Sequence, residues 1–188
     1  NVCFVPTYES VFSLSTSCVA SDDFFACMDA NEGNMASGAN VVDVAIGRMP
    51  VTTVEEAEVV VSKVESYVSN EAETMGSWRK MITFCADDND YFYMSHAEKL
   101  EELVRNQAGE DYMFDKIYLD AYPQVATSSG KRSPECNAAI TNRVELGTSI
   151  INYIGHAGEV GWADERILTN ENIHSWRNFS KLHLMITA

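Results

Sequence analysis

An α/β fold, with a mostly parallel sheet and helices on both faces, is what this sequence predicts. Segments of strand character alternate with segments of helical period, strand–helix–strand–helix–strand–helix–strand, and such alternation implies crossovers between parallel strands. One strand, Ile150-Ile151-Asn152-Tyr153-Ile154, is almost continuously apolar, as a strand covered on both faces must be, and it runs straight into Gly155-His156-Ala157-Gly158-Glu159. A second strand, Leu182-His183-Leu184-Met185-Ile186-Thr187, closes the chain at Ala188.

The elements follow in order. Val2 to Tyr8 reads as a strand, Ser13 to Gly38 as turn-rich chain, and Val41-Val42-Asp43-Val44-Ala45-Ile46-Gly47 as a second strand before Pro50. A helix starts at Thr53, where Thr53 and Glu56 form a capping box in which each side chain satisfies the other's free N–H. Val54, Ala57, Val61, Val64 and Val68 recur at helical spacing and are expected to be its buried stripe. Met81-Ile82-Thr83-Phe84-Cys85 is the third strand. Ser95 with Glu98 repeats the capping-box pattern, with Leu100, Leu103 and Val104 as the stripe and Gly109 as the stop. Phe114 to Leu119 is a fourth strand and Gln124 to Arg132 a polar loop. Ser133-Pro134 opens a third helix, with proline where its missing N–H costs nothing; Ala139, Ile140 and Val144 face inward and Gly147 ends it. A short helix from Asn170 to Trp176 leads to the last strand.

Composition narrows the function classes. A chain of 188 residues with 46% apolar content can bury a real core. It carries 28 acidic against 13 basic side chains, net −15, which argues against nucleic acid, since a phosphate backbone is held by clustered Lys and Arg. No apolar run is long enough to cross a bilayer. Asn1-Val2-Cys3-Phe4-Val5 begins as if already inside a strand, so both ends are expected to be cuts within a longer protein. The five cysteines, Cys3, Cys18, Cys27, Cys85 and Cys136, form no CxxC pair, leaving zinc or thioredoxin chemistry without support. No metal or cofactor is expected to take part in the chemistry. Asp22-Asp23 and Asn31-Glu32-Gly33-Asn34 carry oxygen ligands that a structural calcium could use, and ordinary turn chemistry explains both clusters too.

In a parallel sheet the functional groups gather at the carboxyl ends of the strands. Three such ends matter: Cys85-Ala86-Asp87-Asp88, Gly155-His156, and whatever follows Ala188. If the strands at 150 and 182 are neighbours, their ends lie roughly 5 Å apart, and an imidazole can reach a side chain just beyond residue 188. His156 is the candidate general base; a polar residue in a tight turn has the same local pattern. Amide groups near it, at Gly155 and Ala157, are candidates to face an oxyanion or substrate, and Trp162 either walls a substrate pocket or packs. Glu159, Asp164 and Glu165 contact substrate or solvate the loop. His96, His174 and His183 read as structural. Cys85 as nucleophile with His156 as base is a weaker arrangement.

Asn152-Tyr153-Ile154-Gly155-His156-Ala157-Gly158-Glu159 resembles the catalytic-histidine motif of the gingipain-type cysteine peptidases, family C25. Val5-Pro6-Thr7-Tyr8-Glu9, Ser21-Asp22-Asp23-Phe24-Phe25 and Ala45-Ile46-Gly47-Arg48-Met49-Pro50 are similar to the same family's opening. The continuation Gly161-Trp162-Ala163-Asp164-Glu165-Arg166-Ile167-Leu168, then Ile173, Trp176, Leu182 and Ile186-Thr187-Ala188, looks closer to the branch that serves as sortase of the type IX secretion system. The resemblance implies a caspase-like (gingipain-like) fold in which residues 1–188 are part of one catalytic domain. It also implies a nucleophilic cysteine directly after Ala188, so that residues 1–188 alone are expected to be inactive. It places the histidine-orienting acid at Asp88, with Asp87 as the near alternative, and Ala157 departs from the glycine of many relatives. It further implies cleavage of type IX cargo proteins before their C-terminal signal domains, transfer through a thioester to a lipopolysaccharide acceptor, other secretion-system components as partners, and a cell-surface, outer-membrane location in a Gram-negative bacterium. The alternatives are a secreted gingipain-like protease that only hydrolyses, and a non-catalytic α/β binding module.

Overall fold

The protein is described by a computed structural model that covers residues 5–10, 19–30, 32–33 and 40–188. The chain divides into two compact units, residues 1–64 and 65–188.

In the first unit, β1 (Glu9–Ser10) pairs antiparallel with β2 (Val19–Ala20). The expected opening strand, Val2 to Tyr8, lies partly outside the described residues, and its described part is irregular. A 3-10 turn spans Asp23–Ala26, with Phe24 stacked on Tyr8 at 4.0 Å. Arg48 donates through Nε and Nη2 to the Asp22 carboxylate, at 2.9 and 2.6 Å, and through Nη2 to the Pro6 carbonyl at 3.0 Å. That guanidinium holds the Asp22 carboxyl below the usual carboxylate range. The expected strand over Val41–Gly47 does not form, and Val41, Val42, Val44 and Ile46 are exposed. A strand exists only as a pair, and among the described residues no neighbour pairs with this run.

Helix α1 (Val54–Val68) begins as expected: Thr53 Oγ1 accepts the Glu56 N–H at 3.1 Å and Glu56 Oε2 accepts the Thr53 N–H at 3.3 Å. Its expected buried stripe is not buried. Val54, Val61, Val64 and Val68 are exposed and Ala57 is half-buried. Capping is a local event and follows the sequence; burial needs a partner surface.

The second unit is built on β3 (Met81–Ala86), β4 (Met113–Tyr118), β7 (Ile150–Ile154) and β11 (Leu184–Thr187), in the order β11-β7-β3-β4 and all parallel. Short antiparallel pieces decorate it. β5 (Val125–Thr127) and β6 (Gly130–Arg132) form a hairpin where the sequence suggested only a polar loop. β8 (Ala157–Gly158), β9 (Gly161–Trp162) and β10 (Leu168–Thr169) form a small sheet just after β7.

Side chains of β3 alternate between two cores, as the period of two requires. Ile82, Phe84 and Ala86 join Ala97 of α2 (Tyr91–Ala108), together with Tyr118 and Ile154. Cys85 joins Cys136, Ile140 and Val144 of α3 (Pro134–Leu146), together with Ile151 and Tyr153. Helices therefore cover both faces of the sheet, as the sequence predicts. Helix α2 is capped by Asp90, whose side chain accepts the Phe92 N–H, and not by Ser95, which lies inside the helix and donates to the Phe92 carbonyl. The helix starts five residues earlier than Ser95–Glu98 implied, and its buried residues are Ala97 and Glu101, while Leu100 and Leu103 are exposed and Val104 is half-buried. Glu101 is held by Arg105 and Lys116, each at 2.5 Å. Helix α3 ends at Gly147, whose φ of 101° only glycine adopts readily. A short helix α4 (Asn170–Ser175), closed by a Thr169–Asn172 capping box, precedes β11.

These burials separate two leucine-sized positions. Ile140→Ala, at 1% exposure, is expected to destabilise the protein by about 2–5 kcal/mol in urea unfolding. Leu103→Ala, at 58% exposure, is expected to cost less than about 1 kcal/mol; equal losses would place the core incorrectly.

Candidate active site

The carboxyl edge of the parallel sheet collects three chain segments. β3 runs on into Asp87-Asp88, β7 into Gly155-His156 and β11 into Ala188. The register sets their relative heights. Cys85 is opposite Tyr153, and Tyr153 is opposite Thr187. Beyond the strands proper, the ladder continues: Asp87 N–H donates to the Ile154 carbonyl at 3.1 Å, Ala188 N–H to Tyr153 at 3.0 Å, and Gly155 N–H to the Ala188 carbonyl at 3.1 Å.

Asp87 organises this edge. Its side chain is fully buried. Its Oδ2 accepts the His156 backbone N–H at 2.9 Å and lies 3.4 Å from His156 Nδ1. Its Oδ1 accepts the Asp88 N–H at 2.8 Å. One carboxylate thus fixes both the backbone and the ring of His156. The His156 carbonyl is held too, by Tyr153 Oη at 2.7 Å and by the Ala163 N–H at 2.8 Å. Burial, and then the charge of Asp87, push the Tyr153 phenol far above its ordinary range, so it remains a donor.

The imidazole itself is open, with 65% of its side chain exposed. Nδ1 is the ring nitrogen beside Asp87, which leaves Nε2 turned away from that carboxylate. Nε2 lies 3.4 Å from Tyr93 Oη, and the two rings meet edge-on at 5.6 Å. Separations of 3.4 Å are the loose contacts expected of a site without substrate.

Gly155 makes the arrangement possible. A Cβ there would sit 2.3 Å from Asp87 Cβ and 2.7 Å from Tyr153 Oη. Its N–H donates to the Ala188 carbonyl. Ala157 lines a cavity of ≈ 280 Å³ beside His156, together with Gly158, Val160, Asp164 and Arg166. Trp162 turns away from that space and stacks on Tyr153 at 4.2 Å, 7% exposed.

Asp88 is half-buried and accepts a close hydrogen bond from Gln124 Nε2, so Asp87 and not Asp88 is the carboxylate against His156. Glu159 is exposed, whereas Glu165 is buried, and its carboxyl is pushed above the usual range by burial and then by Asp88, Asp87 and Asp164. Neither enclosed thiol suits nucleophilic attack. Burial drives Cys85 far above the ordinary thiol range, with Cys136 and Asp115 adding to it, and burial with Asp88 pushes Cys136 up to about 12. Tyr93, Tyr153 and Gln124 are site residues that the sequence reading missed. Had the cap been placed at Asp90, Tyr93 would have fallen in the first turn of α2, at the sheet's functional edge.

Of the groups at this edge, an open imidazole on a buried carboxylate suits general-base work. The model of peptidase family C25 matches residues 1–188. The chain belongs to peptidase family C25. Among solved structures, this C25 chain is similar to the crystal structure of the Arg-specific cysteine proteinase gingipain R (RgpB), with 19% identity and TM-score 0.65 over 90% of the chain. It is also similar to the complex of Porphyromonas gingivalis RgpB pro- and mature domains, with 18% identity and TM-score 0.63 over 90% of the chain. It spans 36% of the length of each of those chains. The likeness establishes the caspase-like, gingipain-like α/β fold. Among curated proteins none matches.

The crowding at Gly155 gives a direct expectation. Gly155→Ala should lower stability by about 1–3 kcal/mol, because Asp87 must give way. Thermal or urea unfolding checks it, and wild-type stability would mean that Asp87 does not approach so closely.

Proposed function

We propose that this C25 chain carries the histidine half of a cysteine peptidase centre, with the nucleophilic cysteine directly after Ala188. The observation that carries the reading is the parallel pairing of β7 with β11, extended by the Gly155–Ala188 and Ala188–Tyr153 hydrogen bonds. Strand spacing in a sheet is about 4.8 Å, so a side chain one residue past Ala188 falls within reach of the His156 ring.

Nε2 takes the thiol proton, and the thiolate attacks the scissile carbonyl. The resulting imidazolium donates its proton to the leaving amine, and a thioester remains. Asp87 keeps the ring oriented with Nδ1 inward. Water or an incoming amine, deprotonated by the same Nε2, then resolves the thioester.

The finer reading is a sortase similar to PorU of the type IX secretion system. It is supported by the Gly161-Trp162-Ala163-Asp164-Glu165 continuation. In that reading cargo proteins lose their C-terminal signal domains and pass to an amine on surface lipopolysaccharide, at the outer membrane, alongside other secretion components. Incubating the full-length enzyme with cargo and lipopolysaccharide tests it. A cargo–lipopolysaccharide conjugate is expected; cleaved cargo alone would reassign the protein as a hydrolytic gingipain-like protease.

Two substitutions probe the centre. In full-length enzyme His156→Ala should reduce kcat by about 10³-fold or more, and Asp87→Asn by about 10²–10⁴-fold, with KM little changed. Asp88→Asn should cost clearly less than Asp87→Asn. Steady-state kinetics decides, and near-normal turnover of His156→Ala would remove that ring from the chemistry.

A further inference from the structure

We propose that Asp87, Asp88 and Glu165 hold a divalent cation of calcium's size behind His156. One oxygen from each of the three carboxylates can be chosen so that all lie within 4.8 Å of one another. Glu165 is 6% exposed and Asp87 2%. Glu165 Oε2 is enclosed and has no hydrogen-bond partner. Among the described residues no Lys or Arg forms an ion pair with any of the three, and the His156 ring lies beside Asp87.

Three acids converging in a buried place, one with an unsatisfied oxygen, call for positive charge, because a carboxylate removed from water needs a compensating partner. Calcium takes six to eight oxygens in a flexible shell, so three carboxylates that converge from different segments, with water, suit it. Magnesium, which demands a near-ideal octahedron and keeps most of its own water, is seldom held by several protein carboxylates at once. Asp88 keeps Gln124 on its Oδ2 and Asp87 keeps His156 on its Oδ2. Each carboxylate retains lone pairs for an ion, and water completes the shell.

Such an ion would tie two separate pieces of the site together. Glu165 lies between Ala163 and Arg166, both in the left-handed region at φ 57° and 54°, and both line the cavity beside His156. Asp87 and Asp88 extend β3. One ligand would therefore fix the cavity wall relative to the carboxylate that orients the imidazole. The inference does not depend on the peptidase reading, because its readout is binding and not turnover.

The experiment is calorimetric titration of CaCl2, and separately MgCl2, into the chelator-stripped full-length protein, wild type and Glu165→Gln, with circular dichroism to establish folding. Wild type should bind one more Ca²⁺ than Glu165→Gln, with Kd on the order of 10⁻⁵ to 10⁻³ M, or bind it at least about tenfold more tightly. Its Tm should rise with Ca²⁺ more than that of the variant. If Glu165→Gln does not fold, Asp88→Asn, at a half-buried position, takes its place with the same expectation. Equal Ca²⁺ stoichiometry and affinity in wild type and folded variant would overturn the site, and Mg²⁺ binding as tightly as Ca²⁺ would overturn the assignment of calcium.

Discussion

Everything at the functional edge depends on β7 and β11 lying side by side, parallel and in register. That pairing makes two chain segments, Ile150–Ile154 and Leu184–Thr187, into neighbours one strand spacing apart. The ladder does not stop where the strands do: Ala188 N–H donates to the Tyr153 carbonyl and Gly155 N–H to the Ala188 carbonyl, past the regular pairing. His156 is thus held at a fixed height relative to the residue that follows β11. A reactive pair distributed over two strand ends needs no other positioning device, because hydrogen-bond geometry in a sheet tolerates little sliding.

The second constraint is the carboxylate on the other side. Asp87 continues β3 by one ladder bond and is wholly enclosed. Its two oxygens accept the His156 and Asp88 amides, and Oδ2 also lies 3.4 Å from the His156 ring. A buried acid is costly unless it finds such partners, and here the bond to the His156 amide also places the imidazole beside it. Gly155 is the residue whose missing side chain lets the acid approach. The ring is exposed on one side and lies against the enclosed acid on the other.

Local signals in the sequence proved readable, and partnerships did not. The Thr53–Glu56 capping box, the Pro134 start and the Gly147 stop appear where they were expected, because each is settled within one turn of chain. The parallel sheet was legible from alternation, and the Ile150–His156 segment from its apolar run ending in glycine. The valine stripe of α1 and the strand expected at Val41–Gly47 failed for one reason: periodicity marks a face capable of burial, not the surface that buries it. The start of α2 was not legible because Ser95 and Glu98 repeat a capping-box pattern inside the helix that Asp90 caps. The choice between Asp87 and Asp88 is of the same kind. Two adjacent acids just past a strand end look alike in the sequence, and nothing in it says which of them will meet the histidine.

The most direct measurement of the central claim is covalent capture. Full-length protein is treated with a peptidyl electrophile that traps thiolates, and the modified residue is located by mass spectrometry, in wild type and in His156→Ala. The account predicts labelling at a cysteine directly after Ala188, at a rate that falls sharply when the imidazole is removed. Labelling at Cys85 or at Cys27, or a labelling rate indifferent to His156, would contradict it.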